Sequence, residues 1–303
     1  MPQLTGLHVY PVKSTYRLSP QSARVQPWGL AGDRRWMLVD ERGRAVTQRD
    51  LPELARYRAD PTDDGGLLVT APDGARTEIA APSVERGDQD TDVEIFGTVF
   101  GAAEAAKEAR LWFAERLGDV RLVHLDRPDR SRPIKAGYGR PGETVSMADG
   151  FPFLLTTTGS LAELNDRIAA DHPDDPVKGA ALPMERFRPN LVVDGTSAWA
   201  EEEWRRIRIG GLTFRVAKLC ARCVVTTTDQ ESGVRRGPEP LRALGRHHRI
   251  GQKLIFGVNL VPERPEGVDG DLLGTLRLGD EVTVLDRGPR PDPAAEPAAA
   301  DQG

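Results

Sequence analysis

The chain has 303 residues, 39% hydrophobic and 29% charged, with 41 Lys plus Arg against 46 Asp plus Glu and a net charge of −5. This length holds about two domains with cores of ordinary size, and the acidic balance argues against a general nucleic-acid binder. No run of about 18 apolar residues is present, so no helical membrane span is expected. The N-terminus, Met-Pro-Gln-Leu-Thr-Gly, has no basic region leading into an apolar one, which predicts no secretory signal and a cytoplasmic location.

In chain order, short β-type runs recur at Leu4–Tyr10, Trp36–Val39, Leu67–Thr70, Val93–Phe96, Val120–His124, Phe153–Thr157, Leu191–Val193, Ile207–Ile209, Leu212–Val216, Val224–Thr228 and Val282–Leu285. Many are bounded by Gly, Asp or Pro, the usual punctuation of strands. Two stretches carry helical periodicity: Ala102–Leu117, with Ala106, Leu111, Trp112, Phe113 and Leu117 near one face, and Leu161–Ala170, with Ser160 as its expected N-cap. Residues 127–142, rich in Arg, Pro and Gly, read as a long loop between two strand-rich halves. Residues 287–303 read as a disordered Pro/Ala tail. Many short strands with few helices favour barrels or sandwiches over a doubly wound sheet.

The common catalytic motifs are absent or out of context. Gly137-Tyr-Gly139-Arg-Pro-Gly142 satisfies G-x-G-x-x-G formally, but no strand precedes it, Pro141 interrupts it and no helix follows. The five histidines include no H-x-x-x-H pair for a helical zinc site. The chemistry concentrates in Cys220-Ala-Arg222-Cys223, which holds the chain's two cysteines. The β-branched run Val224–Thr228 predicts a strand after it rather than the helix of a thioredoxin-like motif. Read locally, the pair is two small buried residues in a barrel wall, a thioredoxin-like redox pair, or half of a structural zinc site that needs two more ligands from scattered histidines or carboxylates.

Several segments surround that motif in a fixed order: Tyr10-Pro-Val-Lys13-Ser14, Gly32-Asp33-Arg34-Arg35-Trp36, Asp149-Gly-Phe-Pro152-Phe, Arg186-Phe-Arg188-Pro-Asn190, Cys220-Ala-Arg222-Cys223 and Leu278-Gly279-Asp280. The set resembles the molybdenum-cofactor sulfurase C-terminal (MOSC) superfamily with its N-terminal β-barrel partner, over residues 3 to 286. The resemblance implies a mainly β, barrel-like fold with a few peripheral helices, in two closely packed units. The N-terminal unit is expected at 1–125, a linker at 126–139 and the MOSC unit at 140–286. It further implies a molybdenum cofactor (Mo-molybdopterin) with Cys223 as the protein's metal ligand, and chemistry independent of pyridoxal phosphate. A thiolate is a soft donor suited to a metal already held by dithiolene sulfurs, and Arg222 beside it favours the ionised form. Cys220 is expected to be a packed thiol.

The same pattern assigns Lys13, Ser14, Arg34, Arg188 and Asn190 to the cofactor and its phosphate, for which arginine's planar fork is well matched. Asp149 falls near the metal, as a catalytic proton carrier or as a turn residue before Gly150. The implied activity is reduction of small N-hydroxylated compounds: amidoximes, hydroxylamines and N-hydroxylated bases. No cysteine follows Cys223, so an iron–sulfur cluster within the chain is not expected. Electrons would come from a separate ferredoxin, flavodoxin or flavoprotein reductase, with no nucleic-acid or membrane partner. The alternatives are a sulfur carrier or cofactor-handling protein using a Cys223 persulfide, and a non-catalytic cofactor binder.

Overall fold

A computed structural model describes residues 1–130 and 132–289; most of the Pro/Ala tail, 290–303, lies outside the described residues. The largest sheet runs Gln3–Leu7, Leu191–Asp194, Phe153–Thr157, Lys253–Pro262, Leu212–Ala221, Trp204–Ile209, Val282–Arg287. It curls until its edges meet: Gln3 bridges Glu281, and the Leu4 N–H donates to Asp280 O at 2.9 Å. Its inward residues form the core, as in Trp204–Ile209, where Trp204, Ile207 and Ile209 are buried on either side of register shifts at Arg206. They pack with Leu4, Leu7, Phe153, Phe214 and Leu260 into one barrel core.

The parallel pair Phe153–Thr157 and Leu191–Asp194 is joined through the helix Thr158–Asp171, as a parallel connection requires. That helix is capped by Thr157, whose hydroxyl accepts the Ser160 N–H at 3.2 Å, and not by Ser160 as the sequence suggests. Ser160 lies one turn inside, and its hydroxyl donates to the buried Glu201 at 2.8 Å. Glu202, also fully buried, pairs with His248, on which Trp199 stacks at 3.6 Å. This polar cluster lies beside the barrel.

The second sheet, Trp36–Val39, Arg121–His124, Thr98–Glu104, Asp90–Ile95, belongs to the N-terminal half, as does the small sheet Arg58–Pro61, Leu67–Thr70, Arg76–Ile79. The periodicity over Ala102–Leu117 divides in two. Ala102 and Ala103 pair with Thr91 and Asp90 in a hairpin, and only Lys107–Leu117 is helical. Alanine's short side chain fits either state, and cross-strand pairing decides. Leu111, expected on the packed face, is 55% exposed, while Ala109 and Phe113 are buried. Two elements beyond the expected set are the α-helix Leu241–His247 and the ten-residue strand Lys253–Pro262. The strand's apolar run is broken by Gly257, where φ is +78° and a Cβ would come within 2.6 Å of Leu155 O.

The two halves share strands. Gln3–Leu7 belongs to the barrel, and Ser22–Gln26 pairs with Gly274–Arg277. The chain then crosses over: His8 N–H donates to Asn190 O at 2.9 Å, and Lys13 N–H to Trp36 O at 2.7 Å. Within the loop read at 127–142, Arg132–Pro133 pairs with Thr144–Val145.

Candidate active site

Lys13 and Ser14 lie at that crossing, on the edge of a cleft of about 380 Å³ between the barrel and the N-terminal sheets. Every residue assigned from sequence lines it: Lys13, Ser14, Arg34, Asp149, Arg188, Asn190 and Cys223. Three of these adopt the left-handed backbone region that side chains with a Cβ rarely occupy, with φ +71° at Ser14, +47° at Arg34 and +53° at Arg188. Such conformations hold only where surroundings fix them, and they cluster at functional sites.

Arg34 and Arg188 flank Tyr10, their guanidinium carbons 4.4 and 4.2 Å from its ring centre. Arg34 donates to the buried Asp33 at 2.6 Å and to Asn190 Oδ1 at 3.0 Å. Arg188 donates through Nη1 to Gln230 Oε1 at 2.8 Å, while its buried Nη2 has no hydrogen-bond partner in the protein. Burial pulls Arg188 down to about 10 and pushes the Tyr10 phenol up to about 12. Gln230 and Gln48 exchange two amide hydrogen bonds, at 3.0 and 2.9 Å, and Gln48 donates to Ser14 O at 2.7 Å. This buried amide pair ties the two sides of the cleft together.

Lys13 is buried, donating to Met147 O at 2.9 Å and pairing with Asp149. Burial lowers its pKa to about 8 against the opposing pull of Asp149. Desolvation would raise Asp149, but the charges of Lys13 and Arg49 outweigh it and hold the carboxyl well below the usual range. Its side chain is 56% open to the cleft. Asp149 is therefore an anion across ordinary pH, unsuited to donate a proton from its resting state.

Cys223 ends the C-x-R-C segment, half-buried, with Arg49 Nη2 at 3.4 Å from its sulfur and 3.1 Å from Asp149 Oδ2. Two register shifts in the strand Leu212–Ala221, between Val216 and Lys218 and between Leu219 and Ala221, immediately precede it. Bulges of this kind re-aim side chains beside active sites. The expected strand Val224–Thr228 is instead a single 3-10 turn, Val224–Thr227. Thr226 and Thr227 hydroxyls donate back to the carbonyls of Cys223 and Val224 at 2.9 and 2.7 Å, and this local bonding overrides the β preference of the run. Cys220 lines the same cleft and accepts from Arg222 Nη1 at 2.9 Å, a polar contact rather than apolar packing.

Sequence reading missed Arg49, Gln48, Gln230 and Arg132. Arg132 is buried, donates to Asp149 O at 3.0 Å and also bonds Ala148 O, fixing the backbone beneath the acid. Nothing local separates these from other polar residues, because their partners lie far along the chain: Arg49 and Cys223 are 174 residues apart.

Among the described residues, six cationic side chains, Lys13, Arg34, Arg49, Arg188, Lys218 and Arg222, line the cleft against one acid, Asp149. The cleft at the side of the β-barrel thus gathers cationic side chains around a thiol. The chain belongs to the MOSC family: residues 1–120 match the MOSC N-terminal beta barrel domain and residues 142–283 the MOSC domain. It is 29% identical over 298 residues to mitochondrial amidoxime-reducing component 1 of Mus musculus, covering 92% of this chain and 81% of that protein. The Homo sapiens protein of the same name is 28% identical, with 92% and 82% covered. Molybdenum cofactor sulfurase of Oryza sativa is 30% identical over 300 residues, but the match spans only 35% of that protein. No helix among the described residues is long and apolar enough to cross a membrane.

Proposed function

We propose that this chain binds the molybdenum cofactor in the cleft and reduces small N-hydroxylated compounds, using electrons from a separate donor protein. The observation that carries the reading is the cleft's charge: six cations against one carboxylate, with Arg188 Nη2 buried and lacking an acceptor. An orphaned charged donor is costly unless a ligand supplies the acceptor. A phosphate supplies several, and the residues present fit that group. Arg34, Arg188, Lys13 and Ser14 would hold the anionic end, Asn190 the polar ring edge, and Cys223 the metal. The sulfur ligand matches the donor type expected for such a centre.

When bound, the cofactor supplies the two-electron chemistry that removes oxygen from an N–O bond. The overall change consumes two electrons and two protons per N–OH, releasing N–H and water. The chain's own residues do the rest. Arg49 stands between the Cys223 sulfur and Asp149, setting a positive charge at the reacting end. Asp149, kept ionised, orients both Arg49 and Lys13. Lys13 Nζ, which donates to Met147 O and pairs with Asp149, holds its proton at the edge of the cleft, with its pKa lowered by burial to about 8.

The amidoxime-reducing relatives align over most of both chains, which favours a reductase over a carrier of sulfur. The two readings part at the cysteines. With an artificial electron donor and an amidoxime, Cys223→Ser is expected to lower activity by at least about 100-fold while bound pterin falls less. Cys220→Ser is expected to be milder. Equal loss in both variants, with no molybdenum in the parent, is the result a persulfide carrier would give and would refute the reductase.

A further inference from the structure

The hairpin Asp90–Ile95 and Thr98–Glu104 turns through two residues, with Ile95 paired to Thr98. Both turn residues have positive φ, +49° at Phe96 and +79° at Gly97. A turn of that kind favours Asn-Gly or Asp-Gly, and a bulky aromatic at its first position is a conformational outlier. Phe96 is also 66% exposed, so burial does not compensate the backbone. Packing therefore gives no reason for phenylalanine here.

Position does. Phe96 lines the cleft, and Arg49 stacks over its ring at 5.1 Å from the centre. The same guanidinium touches the Cys223 sulfur and Asp149. The order from solvent inward is thus aromatic ring, guanidinium, sulfur. Val99, 60% exposed, follows on the same hairpin.

We infer that Phe96 is the specificity-determining residue of the cleft, an aromatic wall at its mouth that selects substrates carrying a planar aryl or heteroaryl group beside the N–O function. The inference rests on the reductase reading and narrows its substrate class. A flat ring entering beside Arg49 gains an aromatic neighbour, whereas hydroxylamine itself has nothing to place against it. Aromatic pairs of this kind are worth about three- to tenfold in affinity.

The test uses the cofactor-loaded protein and two substitutions. Phe96→Asn places the turn's preferred residue at the same backbone position, so its Tm should equal or exceed the parent's. Phe96→Tyr keeps the ring. For Phe96→Asn, the ratio of kcat/KM for an aryl amidoxime to that for hydroxylamine should fall about three- to tenfold, through KM rather than kcat. Binding of the corresponding aryl amidine, measured by calorimetry without turnover, should weaken by the same factor. Phe96→Tyr should keep the parent's ratio and affinity. An unchanged ratio and affinity in Phe96→Asn, or an equal loss in Phe96→Tyr, overturns the inference while leaving the reductase intact. A loaded parent that reduces neither compound overturns both.

Discussion

Two parts of this molecule gather charged and polar side chains at close range, and they do opposite things with them. In the cluster beside the barrel, Glu201 takes the hydroxyls of Ser160 and Thr157, and Glu202 takes His248. Both glutamates are fully buried, and burial raises Glu201 toward its neutral form. The carboxylates there face hydroxyls and an imidazole of the chain itself, and the result is structure. In the cleft, six cations face one acid and a guanidinium nitrogen goes without an acceptor. Density of titratable groups does not mark a site. An excess of one sign, at a place a ligand can reach, does.

The comparison can be broken by exchanging the expected losses. Arg188→Ala removes a charged donor from the cleft wall, together with its bond to Gln230 and its stacking on Tyr10. Cofactor affinity should fall about 10- to 100-fold, on the order of 1.5–3 kcal/mol for a charge-assisted hydrogen bond, with a fall in Tm smaller than that of Glu201→Ala below. Pterin content after dialysis, read beside a melting curve, checks this, and full retention would contradict the phosphate pocket. Glu201→Ala should do the reverse. It strands the buried hydroxyls of Ser160 and Thr157 and costs about 2–3 kcal/mol of stability, while the folded fraction keeps its pterin. Loss of cofactor at unchanged stability would make that cluster part of the site.

A smaller effect sharpens the electrostatic side. Lys13 has its pKa lowered by burial to about 8, so it sheds its charge as pH rises through that value, well below an ordinary lysine. Binding of sulfate, whose charge is constant over this range, to the cofactor-free protein should therefore weaken between about pH 7 and pH 9 as Lys13 loses its charge. Lys13→Arg, which keeps its charge over this range, should flatten the dependence. A titration that stays flat in the parent would show that Lys13 does not face the anion.

How far the sequence reveals these two regions follows from the range of the interactions that form them. The barrel strands are legible where β-branched and apolar residues alternate between turn residues, as in Leu212–Val216. The run Val224–Thr228 misleads because threonine serves a strand and a back-bonded turn equally well, and the carbonyls of Cys223 and Val224 decide. The cleft's anchors are visible through short ordered motifs: Lys13 with Ser14, Arg34, Arg188 with Asn190, and Cys223. Arg49, Arg132 and the Gln48–Gln230 pair carry no motif, and their roles exist only once the N-terminal half folds against the barrel. The Glu201–Glu202 cluster is equally silent, since consecutive glutamates read as a solvated surface until burial is known.

The central claim is that the cleft holds a molybdenum cofactor next to Cys223. Metal analysis of the purified protein, with the pterin oxidised to its fluorescent product, measures this most directly. About one molybdenum and one pterin per chain is the expected result, with the metal's spectroscopic signature altered in Cys223→Ser. Sulfane sulfur on Cys223, with little molybdenum and no pterin, would contradict it.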